Sequence, residues 1–359
     1  MKAIADSLIP RKDNLQAWIG ALLTAGRVPG LDASVAPTAA NKLRYHYAKV
    51  YEHKYGQFKL ANGEVLGFDT SPDKADKSYS YEIVDYAGYA DWIGDDGVIM
   101  GEGSMSTTEH VGFMHRIGHK FSFTVFDLER AVKQGKQLPA TRQRIAKKAH
   151  DAKMNWTFAF GDSGKKLHGL FTHPNIQVVL APVSATATYS DNRDRLTENK
   201  DVDEILADLE TIVETVPRTT NEELRTAKVC MPYHDISVLK RRRVGAGDGS
   251  LTIWQLIQDL YPDVQFMSLP ECDDAKRVDP KTGTNTSSIS GQCWIALPDL
   301  PADECGFVMV EPFTQRPPQE HDLKITTATH SKFGGFKCVQ PLGVVRMDFV
   351  AADSQTAAP

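Results

Sequence analysis

The sequence has no long hydrophobic run. Among its 359 residues, the best apolar stretches, 178–183 and 305–310, are strand-sized and far below the roughly 18 to 20 apolar residues of a membrane span. We therefore expect no membrane partner. Residues 17–25 are apolar, but charged residues at 11–13 precede them and no cleavage pattern follows, so we expect no signal peptide.

An excess of positive charge is also missing. The chain has 41 Lys+Arg against 46 Asp+Glu, a formal net charge of -5, which argues against a protein whose main task is to grip nucleic acid. A loose contact with DNA stays open. Hydrophobic residues (41%) and charged residues (24%) occur at ordinary globular levels. The length then predicts about two or three domains.

Cysteines are few and widely spaced. None forms a C-x-x-C pair, so the sequence predicts neither a disulfide framework nor a zinc knuckle, and a reducing cytosolic setting fits. The five lie at positions 230, 272, 293, 305 and 338.

No group of residues has catalytic spacing. The glycine-rich stretch 245–250 matches no phosphate-binding motif, the basic run 240–243 is typical of a solvated surface, and the acids at 271–274 have no evident partner. Strand alternation keeps one of three clustered histidines on the opposite face, so we expect no metal site. These histidines are His110, His115 and His119. We predict no catalytic, cofactor-binding or metal-binding residue, and no enzyme.

A long hairpin is the most distinctive segment that is present. Strand-prone ends at 80–86 and 110–117 flank a glycine-rich middle at 92–103. Residues 78–119 contain seven acidic residues and no lysine. The segment is therefore expected to be an acidic protrusion.

Helical and strand patterns follow the hairpin. Apolar residues recur every three or four positions in 139–160 and in 202–214, which predicts two helices. A short helix at 221–228 and a helix capped by Ser250 are also expected. Strands are predicted at 306–311, 325–329 and 343–350.

This order of elements resembles the major capsid proteins of tailed bacteriophages, the fold named after the Hong Kong ninety-seven phage and shared with encapsulin shells. The resemblance covers roughly residues 45–350. It rests on five stretches: 81–94, 120–161, 167–174, 311–316 and 333–341.

The resemblance implies an α+β fold with seven segments. They are an N-terminal arm (1–45), the start of a peripheral domain (46–79), an extended β-hairpin loop (80–118), the rest of the peripheral domain with a long spine helix (119–184, helix 139–160), an α/β axial domain (185–315), returning strands (316–350) and a mobile tail (351–359).

The resemblance also implies where subunits meet. The hairpin tip would reach a neighbouring subunit through Trp92, Ile93, Gly94, Asp95, Asp96, Gly97, Ile99 and Met100. The candidate basic face opposite it is formed by Arg142, Arg144, Lys147 and Lys148. Some relatives cross-link their shells through a lysine in this loop, and the absence of lysine from 78–119 predicts that this chain does not.

The implied function is structural: hexamers and pentamers that form an icosahedral shell around a double-stranded DNA genome. The expected partners are other copies of the chain, packaged DNA held without sequence preference, and portal, scaffolding or decoration proteins. The expected location is the virion capsid, with assembly in the host cytoplasm. An encapsulin shell protein is the first alternative, and an α/β enzyme with an unrecognised site is the second.

Overall fold

The computed structural model describes residues 58–90, 92, 103–133, 138–185, 196–245, 251–277, 279–283, 289 and 291–349. The expected N-terminal arm and mobile tail lie outside these residues. Within them, no helix combines the length and the apolar character needed to cross a membrane.

The described residues contain five α-helices. They are α1 (Val125–Lys133), α2 (Leu138–Phe160), α3 (Val202–Thr219), α4 (Tyr233–Arg241) and α5 (Ile253–Leu260). Helix α2, the spine helix of this account, has Pro139 in its first turn, where a missing backbone N–H costs nothing. Its C-terminal half buries a continuous stretch from Met154 to Ala159.

Twelve strands lie in the described residues. They are β1 (Phe68–Asp69), β2 (Ser78–Gly88), β3 (Gly103–Phe113), β4 (His115–Thr124), β5 (Gln177–Leu180), β6 (Thr226–Met231), β7 (Gln265–Ser268), β8 (Cys293–Pro298), β9 (Cys305–Gln315), β10 (Gln319–His321), β11 (Lys324–Cys338) and β12 (Val345–Asp348). Together with the helices they confirm the mixed helix-and-sheet class.

The first sheet is organised around the long strand β11. Strand β4 pairs antiparallel with β11 along one edge, and β9 and β10 pair with it along the other. Helix α2 packs on this sheet: its Phe158 ring stacks on Phe307 at 4.4 Å and meets Phe333 edge-on at 5.5 Å. All three rings are buried, so they fix the helix to the sheet.

The second sheet has the order β5-β12-β8-β6-β7 and mixes parallel with antiparallel pairs. Helices α3, α4 and α5 contribute buried side chains to its core, which includes Trp294. Residues Thr252 and Gln255 cap α5 by exchanging hydrogen bonds between side chain and backbone N–H, at 3.2 and 3.0 Å. The sequence predicted Ser250 as the cap of this helix. The structure shows that the cap is Thr252.

The strands of each sheet come from more than one of the expected segments. Strand β5 was expected in the peripheral segment 119–184 but pairs with β12 in the second sheet. Strand β9 falls in the expected axial segment 185–315 but pairs with β11 in the first sheet. The chain thus passes between the sheets three times: from β4 to β5, with α1 and α2 between them in the sequence, from β8 to β9 at 299–304, and from β11 to β12 at 339–344.

Two local predictions need correction. The hairpin strand predicted through residue 117 ends at Phe113, and after Met114 the chain enters β4 of the first sheet. The short helix predicted at 221–228 is wrong. Asn221 and Glu222 have φ values of 50° and 66°, which break a helix, and β6 begins at Thr226.

Helix α3 continues through Pro217, beyond the end predicted at 214. Proline has no N–H to donate to the carbonyl four residues earlier, that of Val213. The hydroxyl of Thr226 donates to this carbonyl instead, at 2.8 Å. Strand β6 thereby supplies the hydrogen bond that Pro217 cannot make within the helix.

Replacing Thr226 by valine is expected to lower the free energy of unfolding by about 1–2 kcal/mol, because the Val213 carbonyl is then buried without a donor. Thr211→Val is the matched control. Thr211 is exposed on the same helix, and its hydroxyl donates to a carbonyl in the regular part of the helix, that of Ala207. Urea unfolding of both variants measures the difference, and an equal loss in the two would contradict the role of Thr226.

Candidate assembly surfaces

The hairpin of β2 and β3 extends away from the first sheet. Its eleven residue pairs run in register from Ser78 opposite Phe113 to Gly88 opposite Gly103. At about 3.4 Å per residue the ribbon is about 35 Å long. Most of its residues are exposed. A two-stranded ribbon of this kind has little core of its own and is marginally stable alone.

One face of the ribbon, named here the apolar face, carries large exposed side chains. Strand alternation and the register bring its members together. They are Glu82, Val84 and Tyr86 on β2 and Met105, Thr107, Glu109 and Val111 on β3. Tyr86 is 82% exposed, and Met105, directly opposite it, is 65% exposed.

Two carboxylates face each other on the apolar face. Glu82 lies directly opposite Glu109, and both are exposed. Like charges at directly opposed positions destabilise a strand pair. A cation supplied from outside the hairpin would remove this penalty.

The other face holds the root of the hairpin against the body. The Tyr79 ring packs against Met114 and Val310, and a Cβ atom on Gly112 would lie only 2.2 Å from that ring, so glycine is required there. The Tyr81 ring stacks on His110 at 5.4 Å. Burial raises the pKa of both tyrosines. The root is therefore held by packed aromatic rings, and its two tyrosines stay neutral.

An ion pair supports these rings from below. The Lys337 ammonium lies 5.5 Å from the centre of the Tyr81 ring and 3.0 Å from the Asp69 carboxylate. Burial of Asp69 opposes ionisation, but hydrogen bonds from Ser71 and Lys337 outweigh it and lower the pKa of this carboxyl. The aromatic ring thus rests on a fixed cation.

The four basic residues predicted on the spine helix do not occupy one surface. Arg142 is half-buried and donates to the Ser122 carbonyl, which ties α2 to β4 within the subunit. Arg144 and Lys147 are exposed, and Lys148 is half-buried. The structure thus groups Arg144 with Lys147 and gives Arg142 an internal role.

Arg144 and Lys147 line a shallow groove of about 770 Å³ between the spine helix and the first sheet. Gln143 and Asp151 also line it. Its apolar lining includes Phe68, Met154, Met309, Val310, Pro312 and Phe313. An apolar surface bordered by basic side chains is complementary to the apolar face of the hairpin and its two carboxylates.

Of the predicted tip residues, only Trp92 lies in the described part of the chain, and it is 95% exposed. The others, Ile93, Gly94, Asp95, Asp96, Gly97, Ile99 and Met100, lie outside the described residues.

The three clustered histidines separate in space. His110 stacks on Tyr81, and His115 hydrogen-bonds to the Lys165 carbonyl at 3.0 Å. His119 lies near His150, a buried residue of the spine helix that hydrogen-bonds to Ser331 at 2.9 Å and to Thr329 at 3.2 Å. Among the described residues, no three His, Cys, Asp or Glu side chains are grouped so as to hold a metal ion.

Sequence reasoning missed the opposed glutamates and the groove. Glu82 and Glu109 could have been paired from the hairpin pattern, had its register been fixed. The groove could not have been predicted from the sequence, because Phe68, Met154 and Met309 come from three distant parts of the chain.

Comparison with known proteins agrees with this architecture. A family model described as Major capsid protein matches residues 88–350. Among solved structures, the capsid of the myovirus phage XM1 superposes with a TM-score of 0.70 at 11% identity, covering 89% of this chain and 99% of that one. A structure from Mycobacterium phage Ogopogo superposes with a TM-score of 0.57 at 10% identity, covering 86% of this chain and 98% of that one.

A further structure, the capsid of an empty GTA particle, gives a TM-score of 0.51 at 10% identity, covering 90% of this chain and all of that one. No curated protein matches. At these identities the superpositions establish the fold, and the family match establishes the membership and favours a capsid protein over an encapsulin. The chain therefore belongs to the major capsid protein family and is a structural protein of a capsid shell.

Proposed function

We propose that copies of this chain assemble as hexamers and pentamers into an icosahedral shell around double-stranded DNA, and that the hairpin of each subunit lies on the spine helix of a neighbour. The exposed apolar face of the hairpin is the observation that carries the proposal. Assembly would take place in the host cytoplasm, and the role would be structural with no catalysis.

The energetics favour a covered hairpin. Tyr86 and Met105 expose most of their surface, and burying one such side chain is worth about 1.5–3 kcal/mol. Because the ribbon lacks a core, cover must come from another surface. In a homo-oligomeric lattice that surface is a second copy of the chain.

Charge complementarity selects the groove on the spine helix as the receiving surface. An arginine or lysine placed between Glu82 and Glu109 would convert their repulsion into two attractions. Arg144 and Lys147 are exposed at the groove and are spaced three residues apart on one side of the helix.

The modest net charge of -5 suits a container that must admit and release its genome. Contacts with DNA would be few, independent of sequence and weakened by salt. Portal, scaffolding and decoration proteins are the other candidate partners.

A charge exchange tests the proposed contact. The double reversal Arg144→Glu/Lys147→Glu is expected to raise the protein concentration needed for assembly at least about tenfold, which corresponds to about 1.4 kcal/mol per contact. Adding Glu82→Lys/Glu109→Lys to the same chain should restore assembly, because the charges are again opposite. Light scattering and electron microscopy measure both outcomes.

The control is Arg241→Glu, which reverses an exposed arginine on α4, a helix that packs in the core of the second sheet. Arg142 is left unchanged since it holds α2 to β4. The contact would be refuted if the Arg144→Glu/Lys147→Glu variant assembled like the parent chain. It would also be refuted if the variant with all four substitutions assembled no better than this double variant. Either result would concern the hairpin contact alone and not the formation of a shell.

A further inference from the structure

The cysteines, unremarkable in the sequence, form two close pairs in the structure. All five are buried as free thiols. Cys305 begins β9 and Cys338 ends β11, and the two are directly opposed in the antiparallel pairing. Cys272 and Cys293 hydrogen-bond to each other elsewhere in the core.

The backbone around Cys305 and Cys338 has the geometry of a cross-strand disulfide. The N–H of Val339 donates to the carbonyl of Glu304 at 2.8 Å. This bond lies one residue outside the cysteine pair, so the cysteines occupy a non-hydrogen-bonded position, where opposed Cα atoms are about 4.5 Å apart and side chains are closest. Disulfides span Cα separations of about 4.4–6.8 Å.

The pair also lies where the chain passes between the two sheets. The crossing from β8 to β9 ends at Cys305, and the crossing from β11 to β12 begins at Cys338. A covalent bond between these residues would join both crossings at one point. Just before Cys338, irregular register between His330 and Gly335 interrupts the β9–β11 ladder, so only a short regular stretch holds this end.

We propose that Cys305 and Cys338 form a disulfide when the protein leaves reducing conditions, and that this bond fixes the junction between the two sheets of the subunit. Two S–H bonds break and one S–S bond forms, while two protons and two electrons pass to the oxidant. Outside a cell, a small disulfide can serve as this oxidant and is reduced to two thiols.

The other pair is less suited to a disulfide. The buried Arg277 guanidinium donates to the Cys293 sulfur at 3.1 Å, and the Cys272 thiol donates to the Cys230 carbonyl at 3.7 Å. A bond between Cys272 and Cys293 would disturb both contacts and weaken the partners of a buried cation. For Cys305, the hydrogen bond with Cys338 and burial raise the thiol pKa, so its oxidation should be slow.

The test uses the full chain, purified with a reductant that is then exchanged for diamide, whose N=N bond accepts the two electrons and two protons. The thiol count in denaturant should fall from five to three. Digestion should combine trypsin with an Asp-specific protease, because trypsin alone leaves Cys293 and Cys305 on one peptide. Mass spectrometry should then find a peptide containing Cys305 joined to one containing Cys338.

The oxidised chain should also melt about 5 °C or more higher, and a reductant should reverse the shift, because the bond closes a loop of about thirty residues. The Cys305→Ser variant should lose both the disulfide-linked peptide and the rise in melting temperature on oxidation. The Cys293→Ser variant should keep both. If a variant fails to fold, the peptide map of the parent chain still decides. Five thiols remaining after prolonged oxidation, or a link between Cys272 and Cys293, would overturn the proposal.

Discussion

Replacing Tyr86 and Met105 together by serine is expected to abolish shell formation while leaving the subunit folded. The two side chains lie directly opposite each other on the apolar face of the hairpin. If a neighbour buries them, their loss removes about 3–6 kcal/mol from each contact, which is about a hundredfold or more in the association constant. Both are exposed in the single subunit, so its own stability should change by no more than about 0.5 kcal/mol.

Ser106→Thr provides the control, since Ser106 lies on β3 one residue from Met105 and points to the opposite face. It should assemble like the parent chain. Sedimentation of assembled particles measures shell yield, and circular dichroism with urea unfolding measures the folded state. A double variant that sediments as shells in normal yield would show that the apolar face is not needed for assembly.

Asp208→Ala is expected to lower the free energy of unfolding by about 3–5 kcal/mol, because it leaves the buried ammonium of Lys200 without its counter-charge. The two side chains form an ion pair in which both are almost fully buried. Burial raises the pKa of Asp208, although the hydrogen bond from Lys200 opposes the shift. The Phe349 ring, 5.8 Å from the ammonium, provides only weak compensation.

Removing the charges of both Lys200 and Asp208 should lower the free energy of unfolding less than removing one of them. The double variant Lys200→Met/Asp208→Leu is expected to recover much of the loss, since no buried charge remains. Lys153→Met is the matched control, because Lys153 pairs with Asp162 at 3.9 Å on the surface, where a pair contributes about 0–1 kcal/mol. Equal destabilisation by Asp208→Ala and Lys153→Met would contradict the role assigned to the buried pair.

Elements with a strong local signal could be predicted from the sequence. Helix α2 runs Leu138–Phe160 where 139–160 was predicted, and α3 begins at Val202 as expected. In each case apolar periodicity and a terminal signal, such as Pro139, act within one turn of the chain. The hairpin was predictable for the same reason, since alternation and a glycine-rich middle are both local.

Features that depend on distant partners could not be predicted. Helix α4 was missed because its C-terminal end was interpreted as part of a basic surface run at 240–243. In the structure, the Lys240 ammonium lies over the Trp254 ring at 4.7 Å, and Arg242 donates to the carbonyls of Glu198 and Lys200. Part of this basic run, which looks like a solvated surface in the sequence, therefore forms contacts within the subunit. These contacts depend on the tertiary fold.

The same limit applies to the assembly surfaces. Arg142, Arg144, Lys147 and Lys148 look equivalent in sequence, yet Arg142 bonds to Ser122 in β4, twenty residues away, while Arg144 and Lys147 border the groove. Helical spacing places residues around an axis but does not say which neighbour each will meet. A mutagenesis design based on sequence alone would have treated Arg142, which bonds within the subunit, as an ordinary surface residue.

Cryo-electron microscopy of the purified chain, alone and with any scaffolding protein, shows whether copies assemble and which surface covers each hairpin. We expect closed, regular shells in which the apolar face of each hairpin lies on a neighbour's spine helix, with Glu82 and Glu109 close to Arg144 and Lys147. A chain that remains a monomer or dimer under all conditions, or shells in which the apolar face of the hairpin is left uncovered, would contradict this expectation.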